Sequence, residues 1–329
     1  MVQVRELIES PGFSGVVSVV VDGQSILQHA SGLANREVGI PNASNTRFAT
    51  ASVSKIFTAL CVARLVEVGR CRFDQSLPDI VPQLRLHYDD TFTLASLLCH
   101  RAGLGDYIDD DAALPFAGMD VARLDSTGAF LPHVLQVPRY APGEFRYSSA
   151  GYILLGLVIE TLTGKSYPEA VAEWVTGPAG MIATGFPPLD GPCDDVAIGY
   201  LPDGTPNFNH IPRVGGADGG IVTTVADLQA LFRGMAGRDF ISEATKQFLW
   251  QPLSPLKAQQ AYGHGFYIDE VAGRTWYGHT GSDPGVSARV AFTQDPYRSI
   301  VVLCNVESVA FRTFRLILES LEETGGKAY

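Results

Sequence analysis

The chain of 329 residues has no stretch of clustered lysine or arginine, and its 24 basic side chains are outnumbered by 35 acidic ones, a net charge of −11. A nucleic-acid surface needs grouped cations, so no nucleic-acid partner is expected. Cysteine is scarce and unpaired in spacing. Cys61, Cys71, Cys99, Cys193 and Cys304 form neither a disulfide framework nor a zinc pattern. Cys61 and Cys304 stand in apolar runs and read as core residues. The seven histidines are scattered without ligand spacing, so no metal is expected, and no cofactor is called for. No uncharged apolar run approaches the ~18–20 residues of a membrane span. The N-terminus lacks a basic segment followed by a long apolar one, so no export leader is expected and the expected location is cytoplasmic. Internal repeats and low-complexity linkers are also lacking.

What is present is a large apolar fraction. The composition is 46% hydrophobic and 18% charged, which suits a globular chain with a sizeable core. The length exceeds the ~100–200 residues of a typical domain, so two lobes or one large domain are expected.

One stretch organises the rest: Ala51-Ser52-Val53-Ser54-Lys55-Ile56-Phe57-Thr58-Ala59-Leu60. Ile56, Phe57, Leu60, Ala63, Leu65 and Val66 recur with a helical period, Thr50 suits an N-cap, and Gly69 stands where a C-terminal cap belongs. Ser52 and Lys55, three positions apart, therefore share one helical face. A hydroxyl beside an amine is a candidate nucleophile and proton acceptor. A first-turn position also places Ser52 among free backbone N–H groups, useful beside a developing oxyanion.

Around this helix the pattern changes twice. Gly15–Val21, Asp22-Gly23 and Ser25–Ala30 read as a β-hairpin. From about Cys71 to Met235 the chain reads as helices and long turns. These include Leu94–Cys99, an acidic loop from Asp106 to Asp111, a strongly apolar helix Tyr152–Thr163 capped by Gly164, and a helix opened by Thr224 and Asp227. Beyond about Tyr262, Gly265–Glu270, Thr275–His279, Ser287–Thr293 and Ile300–Val306 read as consecutive strands, closed by a helix Phe311–Leu321. Strands at both ends and helices between imply an α+β fold. One antiparallel sheet is built from both chain ends and flanked by helices (1–70 with 236–329), a mainly helical lobe comes from 71–235, and the active site lies between them.

Two further segments complete a constellation with Ser52-Val53-Ser54-Lys55: Tyr147-Ser148-Ser149 and His279-Thr280-Gly281-Ser282. With them the chain resembles the serine β-lactamase and penicillin-binding-protein superfamily, in its class C β-lactamase-like branch. Leu97-Leu98-Cys99-His100-Arg101-Ala102-Gly103-Leu104, Pro142–Gly156 and Gly219-Gly220-Ile221-Val222-Thr223-Thr224 with Asp227 match further segments of that branch, in order and spacing. The resemblance implies a β-lactamase/transpeptidase-like fold and a set of roles. Ser52 is the acylated nucleophile, Lys55 shares its proton, and Tyr147 is the partner base. Backbone N–H groups of Ser52 and Ser282 form the oxyanion hole. Ser149, His279, Thr280 and Gly281 bind substrate.

Two departures qualify it. Ser149 stands where the family usually has asparagine, and a hydroxyl reaches less far than an amide. His279 stands where lactamases usually have lysine, and a histidine near neutral pH is a weaker anchor for an anion. His100 and His264 read as structural. The expected substrate is a small-molecule ester, amide or peptide. Carboxyl-ester cleavage through an acyl-enzyme comes first. A D-amino-acid peptidase or amidase, an acyltransferase, or a catalytically weak penicillin-binding sensor are the alternatives. The acidic loop is expected to favour substrates with a free amine.

Overall fold

The computed structural model describes residues 2–109 and 114–323, and the side chain of Glu323 lies outside that description. Its centre is an eight-stranded antiparallel sheet. In spatial order the strands are Gln24–Ser31, Gly15–Val21, Arg298–Cys304, Val286–Thr293, Arg274–Asp283, Tyr267–Val271, Gln260–Tyr262 and Ser254–Lys257. The N-terminal hairpin thus joins the last strand of the chain, with Val17 opposite Val302.

The middle strands are buried along their whole length because both faces of the sheet are covered. Side chains alternate between faces with period two. Val16, Val290, Val301 and Leu303 enter the larger core, whereas Val17, Val19, Ile300 and Val302 enter a second core behind the sheet. The helix Val309–Glu323 closes that second core with Ala310, Phe314, Ile317 and Leu321. This spacing lays one apolar stripe along the helix. A short N-terminal helix, Val2–Ile8, adds Val4 and Ile8.

The larger core faces the helical part. The helix Ser54–Glu67 is buried at eleven of its fourteen positions and runs through the middle of this core. It packs on Ser149–Thr163, a second helix buried over most of its length. Gly164 ends that helix with φ +68°, and Thr224 caps Val225–Ala236 by accepting from the Asp227 N–H. Both sequence expectations hold.

One local expectation is corrected. Thr50 makes no side-chain cap. Its hydroxyl bonds the Ile221 carbonyl instead, and residues 51–53 form a 3₁₀ turn ahead of the α-helix. Asp106, in the acidic loop, is fixed in place. Its carboxylate accepts from the N–H groups of Ser149 and Ala150, where a helix start favours an anion. Asp110 and Asp111, the end of the expected acidic loop, lie outside the described residues.

Candidate active site

Ser52 lies on the 3₁₀ turn Ala51–Val53, at the point where that turn meets the strand Arg274–Asp283. The turn is held tightly. Ala51 has φ +46°, a conformation that costs a residue with a Cβ. The strain is fixed from both sides: the Ala51 carbonyl accepts from Ser54 Oγ at 2.8 Å and from the Gly220 N–H at 3.3 Å. Ser54 Oγ in turn accepts from the Ile221 N–H. The Gly219-Gly220-Ile221 segment is therefore the clamp on the Ser52 turn.

Lys55 is fully buried one turn onward, with its amine in the cleft floor. Its Nζ is 2.9 Å from Ser52 Oγ, 3.3 Å from Ser149 Oγ and 2.7 Å from the Asp218 carbonyl. The carbonyl can only accept, so one N–H is committed there, whereas each hydroxyl can accept or donate. Tyr147 completes the group, with Nζ 4.9 Å from its ring centre. Ser149 thus reaches Lys55 despite its short side chain. The structure brings Ser52, Lys55, Tyr147 and Ser149 into one cluster.

The third motif divides by parity. Thr280 and Ser282 face a wide recess of about 360 Å³ lined also by Ser52, Phe145, Tyr147, Tyr267, Asp283 and Glu307. His279 faces the other way and is fully buried. Burial first, and then the charge of Lys55, push its pKa down to about 3. The expectation that His279 binds substrate is therefore corrected: the ring is neutral and turned from the cleft because side chains alternate along a strand. Gly281 also has a backbone reason. A Cβ there would sit 2.0 Å from the Thr50 carbonyl oxygen, so glycine lets the strand touch the Ser52 turn.

A second, narrow recess is lined by Ser52 and Ser149. Ile108, Phe116, Leu189, Ile211 and Val286 make it largely apolar, and Asp218 and Asp283 stand in its wall. Asp218 is buried and its carboxylate accepts from the Tyr107 hydroxyl at 2.8 Å. Burial pushes its pKa above the ordinary value, against the opposing charge of Lys55. Sequence reasoning passed over Asp218 and Tyr107. The one available signal was an acidic residue immediately before the Gly219-Gly220 pair.

His100 and His264 are buried as expected; His264 stacks on Phe248. Among the described residues there is no cluster of three or more His, Cys, Asp or Glu able to hold a metal, and no helix long and apolar enough to cross a membrane.

Comparison with known proteins gives the family and the fold. The family model described as Beta-lactamase matches residues 3–321. Penicillin-binding protein 4 of Amycolatopsis lactamdurans is 28% identical over 82% of this chain and 74% of its own. A D-aminopeptidase of Cereibacter sphaeroides is 28% identical over 92% of this chain, which spans only 58% of that longer protein. The crystal structure of a penicillin-binding protein from Bacillus halodurans superposes with a TM-score of 0.89 at 31% identity, covering 97% of this chain and 99% of the other.

Proposed function

The chain belongs to the beta-lactamase family of serine hydrolases, and from that premise we propose that it cleaves esters or amides through an acyl-enzyme on Ser52, in a cleft between the sheet lobe (1–70 and 236–329) and the helical lobe (71–235). The observation that carries the reading is the 2.9 Å contact between Lys55 Nζ and Ser52 Oγ, with Tyr147 beside it.

In this mechanism Ser52 Oγ attacks the substrate carbonyl carbon while its proton passes to the Lys55–Tyr147 pair. The oxyanion is held by the N–H groups of Ser52 and Ser282, a reading supported by the close approach of the strand at Gly281 to the Thr50–Ala51 segment. Collapse expels the leaving group, which takes a proton from Tyr147. Water then attacks the acyl ester, again deprotonated by that pair, and Ser52 is released. Tyr147 lines the wide recess and not the narrow one. The leaving group therefore occupies the wide recess, and the acyl group the narrow, largely apolar one.

Charge then selects among substrates. The strand that would offer a cation to a substrate carboxylate offers neutral, buried His279. Among the described residues no lysine or arginine lines either recess, whereas Asp218, Asp283 and Glu307 do. An acyl group bearing an amine, as in an amino-acid amide or ester, fits this field better than an anionic one. Simple neutral carboxyl esters are the second reading, favoured by the apolar lining. The resemblance to D-aminopeptidases supports the first.

Intact-mass spectrometry after incubation with a fluorophosphonate tests the nucleophile. A single adduct on Ser52, absent from Ser52→Ala, is expected. Labelling elsewhere, or none, overturns the reading. A stable penicilloyl adduct would instead support a penicillin-binding role.

A further inference from the structure

We propose that His100, Tyr262 and His279 form a hydrogen-bonded strut that sets the position of Tyr147 against the Thr280–Ser282 strand edge, so that Tyr262 and His100 are positioning residues for the reaction. The inference rests on the proposed Ser52 mechanism.

The strut has an unambiguous direction. The Ser148 N–H can only donate, so His100 Nδ1, 3.1 Å away, accepts. The His100 proton is then on Nε2, which donates to Tyr262 Oη at 3.2 Å. Tyr262 donates its own proton to His279 Nε2 at 3.0 Å. The His279 proton is therefore on Nδ1, which donates to the Thr280 carbonyl at 2.6 Å. A main-chain donor at one end and a main-chain acceptor at the other fix both tautomers. A protonated imidazole has no acceptor nitrogen, so the strut requires two neutral rings. Burial, assisted by the charge of Lys55, holds both histidines in that form.

Each end touches proposed machinery. Ser148 follows Tyr147 in the chain, and the His100 ring lies 4.4 Å from the Tyr147 ring, centre to centre. Thr280 is two residues before Ser282, whose N–H is a proposed oxyanion donor. His100, Tyr262 and His279 are buried, and none lines either recess, so none meets substrate directly. Their contribution is the distance between the base on one segment and the oxyanion donor on the other. An error of about 1 Å in such a distance costs on the order of a hundredfold in rate.

Two variants cut the His100–Tyr262 link, and Tyr262→Phe cuts the Tyr262–His279 link as well. Tyr262→Phe keeps the ring and removes the hydroxyl. His100→Asn retains an acceptor for the Ser148 N–H and tolerates the left-handed backbone at this position, φ +58°. Turnover of p-nitrophenyl butyrate is measured per active site titrated with fluorophosphonate, so that unfolded protein is not counted. Each variant is expected to lose about tenfold to a hundredfold in kcat with KM within about threefold. Because both cut the same link, the double variant should be no slower than the slower single one, within about threefold. Normal kcat per titrated site, or losses that multiply in the double variant, would overturn the strut. Where Tyr262→Phe does not fold, His100→Asn alone decides by its kcat. Activity surviving in Ser52→Ala would overturn the underlying mechanism, whereas an inactive Ser52→Ala with fully active strut variants removes only the strut.

Discussion

The two sides of the cleft floor are both buried and both polar, yet they place their protons differently. On the Lys55 side, the hydroxyls of Ser52 and Ser149 meet one amine and can each donate or accept. On the His100–Tyr262–His279 side, the direction is set by main-chain groups at the ends. A proton can be redistributed on the first side without breaking a contact. On the second, any movement leaves a buried polar group unpaired, at a cost of about 1–3 kcal/mol. Chemistry belongs to the side with choice and rigidity to the side without it.

The largest effect that could break this division is at Ser52. Ser52→Ala should lower kcat by at least about 10⁴-fold while leaving the thermal midpoint within a few degrees, because the residue is half-buried and its loss opens little space. Lys55→Met should cost nearly as much, and the double variant little more, since the pair acts as a unit. Steady-state rates beside thermal melts make the check. If Lys55→Met retained a tenth of the activity, proton transfer would not run through the amine.

Gly281→Ala tests whether contact between strand and nucleophile turn matters. The added methyl meets main-chain oxygen at 2.0 Å, which cannot yield as a side chain could. The strand must move from the Ser52 turn, and loss of one oxyanion donor costs about 10²–10³ in kcat. The expected signature is a fall in kcat larger than any rise in KM. A variant with normal kcat would show that the Ser282 N–H is not an oxyanion donor.

Much of this arrangement could be read from the sequence. The Ser52–Lys55 helix, the hairpin at Asp22-Gly23 and the terminal strands follow from local periodicity and turn chemistry, which short windows contain. His279 was misread for a different reason. Its place in the third motif was visible, but the face it presents depends on strand register and on what covers the sheet behind it. The bonds of Asp106 were not legible because its partners, Ser149 and Ala150, are more than forty residues away. The Tyr262 strut and the Asp218–Tyr107 bond are likewise long-range pairings of ordinary residue types, and nothing in their spacing announces them.

A smaller effect sharpens the comparison between the two recesses. Asp218→Asn keeps the side-chain volume and an acceptor for Tyr107 but removes the charge. Preference for an amine-bearing acyl ester over its N-acetylated form should fall about tenfold, as kcat/KM, since one half-screened charge contact is worth about 1.4 kcal/mol. An unchanged preference would place the amine elsewhere or remove it from the substrate.

The smallest effect concerns acid stability. His264 is pushed down to about 4 and His279 to about 3, both chiefly by burial, while the unfolded chain titrates near the ordinary value of 6.5. Below 6.5 the unfolded state therefore binds more protons than the folded one, and stability falls as pH falls. Above 6.5 the contribution is complete; by pH 4 that of His264 is largely lost, whereas His279 keeps drawing stability down toward pH 3. Asp218, whose pKa is raised, acts with the opposite sign, losing stability as pH rises through its range. His264→Phe isolates one of these terms at a ring outside the strut, which stacks on Phe248 and has one nitrogen bonded to its carbonyl at 2.8 Å. Between pH 6 and 4.5 the variant's stability curve should be flatter than the wild type's by nearly one proton, up to about 1.4 kcal/mol per pH unit. Denaturant melts across that range measure the slope directly. Equal slopes would mean that His264 is protonated in the folded state, and that burial alone does not keep a histidine of this fold neutral. The neutrality of the strut would then depend on the nearby charge of Lys55, and Lys55→Met should let His279 take up a proton at higher pH.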